Sequence, residues 1–225
     1  MKKFFTLTTF FFFGLSALVH AQFLVGGNIG FSSQKSTDET GNNKVESKFT
    51  SVTVIPRLGY VFGNNWAGLD VGLTSFKSES PDFPSGTTED KLNLISINPF
   101  FRFIKKPTDN MGIWLEASAG ASFGKSQRDG EDDEKYNIIQ AGLRPGVIFF
   151  IGDHLSFEAS FGRLGFTQTT VTDAQDSNDK IKDSNFGLSL NSNNFVLGNL
   201  GENLILSSGF LFGVNWTFGG AVAEK

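Results

Sequence analysis

Six charged residues stand out by type and order. Arg57, Arg102 and Arg144 recur along the chain, and each is followed by an acidic residue: Asp70, Glu116 and Glu158 in turn. Three kinds of chemistry fit such a set. Paired carboxylates serve glycoside hydrolysis, but one of them must then hold its proton, and neighbouring arginines keep carboxylates ionised. Buried charges in a row serve a gated pore or a proton path. Three cations matched to three anions also make a structural ion-pair plug, because a charge in a narrow interior must be paired or hydrated. The plug is the preferred reading.

Other chemistry has less support. The chain has two histidines, and the one beyond residue 21, His154, falls in a short turn and reads as a turn residue. The opposite end then has no Ser–His pair and no His-based metal site. No Walker sequence, Gly-x-Ser-x-Gly elbow or His-Glu-x-x-His is present. Asp129-Gly-Glu-Asp-Asp-Glu134 offers oxygen ligands without the spacing of an EF-hand loop, so it reads as a solvated loop tip. Asp173, Asp176, Asp179 and Asp183 read the same way. No catalytic residue, metal or cofactor is expected.

The elements that carry the six charges follow from a repeat. Ser51–Tyr60, Leu94–Phe103 and Gln140–Phe149 resemble one another when Pro56, Pro99 and Pro145 are aligned, and Gly209–Phe218 is related without the proline. Period-2 alternation gives eight strands near 22–33, 48–62, 65–77, 91–104, 112–126, 136–151, 154–168 and 203–218. Short turns follow the even strands. Long polar segments near 34–47, 78–90, 127–135 and 169–202 follow the odd ones, and these read as loops. The fourth contains Phe186-Gly-Leu-Ser-Leu190 and Phe195-Val-Leu197, read as strand extensions, a lid or a contact surface. Proline is rare in central strands, so three at equivalent positions predict a shared bulge or bend.

One face of each strand is apolar and the other small or polar. The basic residues fall on the polar face of strands two, four and six, and the acidic ones on that of strands three, five and seven. Face identity alone does not say which side is inside. A secreted barrel with an aromatic core is the alternative to a membrane barrel. Tyr60, Phe62, Phe101, Phe103, Phe149, Trp216 and Phe218 favour the membrane, because they gather at the short-turn end as an aromatic girdle does at a membrane interface.

Composition agrees. The chain has 225 residues, with 26 Phe, 26 Gly, no Cys and a mean hydropathy of -0.10. Phe and Gly together favour strands over helices. Residues 1–21 read as a signal peptide: Lys2 and Lys3, an apolar run, then Val19-His20-Ala21 before the cut. Its removal leaves 17 basic against 23 acidic residues, a net charge of -6. That does not favour a nucleic-acid partner.

The leader ending at Ala21-Gln22, the four hairpins, the proline-bearing even strands and the terminal Trp216-Thr-Phe218 resemble the outer membrane β-barrel family of the OmpA-barrel, OmpX and OmpW type, in its Bacteroidetes form. The resemblance implies an all-β, eight-stranded antiparallel up-and-down transmembrane β-barrel over 22–218, with a short tail at 219–225. It implies an outer-membrane location, surrounding lipid, a terminal aromatic read by the barrel-assembly machinery, and a monomer. The expected function is structural or surface interaction through four extracellular loops, with a side-chain-filled lumen. A narrow channel for small or hydrophobic solutes is the alternative, and enzymatic activity is not expected.

Overall fold

The computed structural model describes residues 22–40, 43–82, 86–129, 131–173, 179–189 and 211–218. The leader, the tail, the 203–210 part of the predicted last strand, Phe195–Leu197 and Asp176 lie outside the described residues. All described elements are strands: β1 (Gln22–Thr40), β2 (Asn43–Phe62), β3 (Asn65–Asp82), β4 (Gly86–Thr108), β5 (Met111–Arg128), β6 (Glu131–Ile151), β7 (Leu155–Ser160), β8 (Arg163–Asp173), β9 (Lys180–Ser189) and β10 (Leu211–Phe218).

Every pairing is antiparallel. β1 to β7 pair in chain order, β10 pairs with β7, and β10 returns to β1. These eight strands form a closed ring of hydrogen-bonded neighbours. Above it, β8 continues the pairing with β6 and carries β9 on its other edge. Closure satisfies the backbone groups that an open edge would expose.

Three connections are tight. Gly63 and Asn64 join β2 to β3, Asp109 and Asn110 join β4 to β5, and Gly152 to His154 join β6 to β7. Gly63 and Gly152 have φ of 61° and 67°, a region that glycine enters without steric cost. The opposite connections differ from the sequence expectation. The polar segments at 34–47, 78–90 and 127–135 are largely strand, and β1 pairs with β2 all the way to Thr40 and Asn43. Three of the four expected long loops are therefore extended hairpins. Alternation fails as a signal there because both faces are polar.

The seventh predicted strand is two. Ser160 and Arg163 both point inward, and Gly162 between them has φ of 69°. Gly146 pairs with Ser160 and Leu143 with Leu164, so two residues of β6 face three on the opposite strand. This bulge reverses the phase. β7 buries even positions, whereas β8 buries Arg163 and Thr169 and turns Leu164 and Phe166 outward.

The prolines share a defect but not a bulge. Each keeps its pairing with the preceding strand: Pro56 with Gly27, Pro99 with Leu69 and Pro145 with Leu115. Each interrupts the pairing on the following side, where its missing N–H leaves a gap. At Pro56 and Pro99 the register resumes unshifted. Only at Pro145 does an extra residue enter opposite, and there the Phe161 N–H donates to the Pro145 carbonyl at 3.3 Å.

Candidate functional site

Strand alternation sends the six charges to one place. Arg57, Asp70, Arg102, Glu116, Arg144 and Glu158 all point inward, one from each of β2 to β7, and Arg57, Arg102 and Glu116 are fully buried. Arg57 grips Asp70 through both ends of its guanidinium, Nε to Oδ1 and Nη2 to Oδ2, each at 2.7 Å. It also donates to Glu116 at 3.0 Å and to Glu158 at 3.3 Å. Arg102 donates to Glu116 at 2.7 Å through Nη2 and at 3.1 Å through Nε. It reaches both oxygens of Glu158. Arg144 donates to Glu116 and lies 3.8 Å from Asp70. Asn215 on β10 adds a donor to Glu158 at 2.9 Å.

Three positive and three negative charges cancel. Bidentate, charge-assisted bonds of this kind are the strong class, and they offset the desolvation of a buried ion only when its remaining donors and acceptors are also used.

Aromatic rings support the cations. Arg57 lies over Phe100 at 4.2 Å, and Arg102 over Trp114 at 3.9 Å and over Trp66 at 5.1 Å. Trp114 is fixed by its own bond from Nε1 to the Val147 carbonyl at 3.1 Å. These rings belong to a buried apolar layer at the short-turn end, formed by Leu24, Trp66, Phe100, Ile104, Trp114 and Ile148. A second layer of Phe76, Leu92, Leu94, Tyr136 and Ile138 lies toward the long hairpins. The ion cluster is thus sandwiched between apolar layers inside the ring.

Sequence reasoning assigned the inner faces as small or polar throughout and missed both layers. The signal is present in Phe100-Phe101-Arg102-Phe103-Ile104, where apolar residues occupy both phases. It also missed Arg163, which the Gly162 bulge brings inside. Arg163 donates to Gln140 at 2.7 Å, and Gln140 donates to Asn98 at 2.8 Å.

The outer surface has the reverse character. Leu73, Ile95 and Phe103 are 51%, 55% and 53% exposed. Of the seven predicted girdle residues, Tyr60, Phe101, Phe103, Phe149, Trp216 and Phe218 are exposed and Phe62 is half-buried. Neighbouring rings touch: Phe62 with Phe101 at 6.2 Å, and Trp216 with Phe218 at 6.3 Å. His154 stacks on Trp216, and its Nδ1 lies 3.0 Å from the Thr217 carbonyl. The acidic run at 129–134 straddles the β5–β6 turn, where Asp129 accepts a hydrogen bond from the Glu89 N–H at 3.0 Å.

No family model matches the sequence, and no curated protein matches it. Among solved structures, the chain is similar to neisserial surface protein A (NspA), with 12% identity and a TM-score of 0.39 over 88% of this chain and 99% of that one.

Proposed function

We propose that the chain is a small outer-membrane β-barrel of the OmpA-barrel type, inserted after cleavage of its leader, with a closed lumen and a structural or surface-interaction role. One observation carries this reading: the molecule is inside out. Its charged cluster is buried at 0% exposure for Arg57, Arg102 and Glu116, while a belt of large apolar side chains faces outward. Water favours the opposite arrangement, since exposed apolar area costs roughly 25 cal/mol per Å². A hydrocarbon surround removes that cost, and a closed antiparallel sheet is one of two architectures that satisfy every backbone group there.

The lumen supports a plug over a channel. An eight-stranded ring has room for side chains and little else. Here the middle is filled by a neutral ion cluster and each side of it by an apolar layer. The long hairpins, which stand beyond the apolar belt, are the surface offered to a partner or ligand.

Planar-bilayer recording on the full-length mature protein tests the plug. Negligible steady conductance is expected. Steady single-channel steps that change on Arg102→Ala would replace the plug by a pore. The membrane assignment has its own test: a folded band that migrates differently from the boiled one on a detergent gel is expected, and recovery as a soluble periplasmic protein would refute it.

A further inference from the structure

Arg163 stands outside the balance of the six clustered charges. The Gly162 bulge turns it inward, where it is 8% exposed. Its Nη1 donates to Gln140 at 2.7 Å. Among the described residues no carboxylate pairs with this guanidinium, and its Nε and Nη2 make no hydrogen bond. Between the two apolar layers the described residues thus set four arginines, Arg57, Arg102, Arg144 and Arg163, against three carboxylates, Asp70, Glu116 and Glu158. The compartment carries one surplus positive charge. Arginine does not shed its proton to escape burial, so the surplus calls for an anion.

The bulge brings a second cation and an unpaired hydroxyl to the same place. A Cβ on Gly142 would stand 2.7 Å from the Arg163 Nε, so the guanidinium crosses β6 at a position with no side chain. Arg144 is the next inward residue of β6, about 7 Å along the strand. It stands across from the bulge, because Gly146 pairs with Ser160 and Leu143 with Leu164. Its Nη2 serves Glu116 and lies 3.8 Å from Asp70, which leaves Nε and Nη1 without a hydrogen bond among the described residues. Ser160 is the inward residue just before the bulge. Its hydroxyl is buried and has no hydrogen-bond partner. An unpaired buried polar group marks a place where a water or an ion belongs.

From this we propose that the lumen holds one small monovalent inorganic anion, a halide such as chloride, at the Gly162 bulge, bound by Arg163 and Arg144 and accepting the proton of the Ser160 hydroxyl in a hydrogen bond. The single surplus charge sets the valence. The size follows from the ring, since eight strands leave room for side chains and an ion but not for an organic ligand. Arg163 and Arg144 both keep a little solvent contact, at 8% and 13% exposure, and this gives a small ion its approach. The site needs the closed ring and its interior, not a particular solvent outside, so it stands apart from the membrane reading. It also leaves the plug intact, because the anion ends against the ion cluster.

Urea unfolding of the protein in neutral detergent tests the site, with gluconate exchanged for bromide at constant ionic strength. Bromide should stabilise saturably, and at ten times its dissociation constant the unfolding equilibrium constant should fall about elevenfold. Arg163→Gln removes the surplus charge and should abolish this dependence, whereas Lys105→Gln/Lys106→Gln at the short-turn end should keep it. A wild type indifferent to bromide would overturn the site, and so would a dependence that survives Arg163→Gln. Anomalous diffraction from bromide-soaked crystals of the wild type needs no variant to fold. One peak beside Arg163 is expected, and a peak only elsewhere, or none, would also overturn it. Failure of the protein to insert into vesicles would sink the membrane reading and leave this site standing.

Discussion

Glu116 touches three guanidinium groups, at 3.0 Å from Arg57, 2.7 Å from Arg102 and in contact with Arg144. Removing it leaves buried cations short of one negative charge. Breaking a buried ion pair on one side costs about 3–5 kcal/mol, whereas replacing matched partners by apolar residues of similar volume is close to neutral. Glu116→Leu should therefore lower stability by about 3–5 kcal/mol, read from urea unfolding in vesicles. The matched change Arg57→Met/Asp70→Leu should cost distinctly less. If it costs as much as Glu116→Leu, the cluster is not held by pairing. The sequence already carried the identity of these six residues and their alternation between even and odd strands. It did not carry their mutual distances, because those depend on how far the ring is sheared.

Gly162 acts on a whole element. Its positive φ makes the bulge that reverses the phase of β8, so that Arg163 points inward and Leu164 and Phe166 point outward. A side chain here meets the steric cost of the left-handed region, about 1–2 kcal/mol. Gly162→Val should destabilise by about that amount in the same unfolding assay. Deleting Gly162 should do far more. A one-residue slip moves every side chain of a strand to the other face, which would turn Arg163 toward lipid. Loss of the heat-shifted gel band is expected, and an unchanged band would show that β8 is not held in this frame.

The same bulge explains a limit of sequence reading. Alternation over 154–168 predicts one strand in one phase, and a single inserted residue leaves no mark in a period-2 pattern. The hairpin tips were hidden for a different reason. From Gln34 to Thr40 and from Ser78 to Asp82 both faces are hydrophilic, so nothing distinguishes a paired strand there from a loop. The turn-end layer was hidden by excess, since Phe149 and Phe150 are both apolar although Phe149 faces out and Phe150 packs against the inner layer.

For the molecule as a whole, the decisive property is the solvent that its outer belt requires. Ile97 lies mid-belt, opposite Val71, and is 48% exposed. On a water-facing surface a change there falls within about ±0.5 kcal/mol. On the lipid face of a barrel, arginine costs about 2–4 kcal/mol at the midplane. Ile97→Arg should show the larger loss in vesicles. A loss within the smaller range would place this surface in water.

The ion cluster also has a consequence for assembly. Arg57 stands directly across from Asp70 within the β2–β3 hairpin, and Arg102 directly across from Glu116 within β4–β5. The β6–β7 hairpin likewise carries one of each sign, Arg144 and Glu158. On the membrane reading, each of these three hairpins thus brings its own counter-ion to the cluster and adds no net charge to it. The contacts that join hairpins, such as Arg57 with Glu158 across 101 residues, form only when distant parts of the chain meet. Burial of charge is spread over neutral instalments, and the last contacts to form report that the wall has closed in the correct frame.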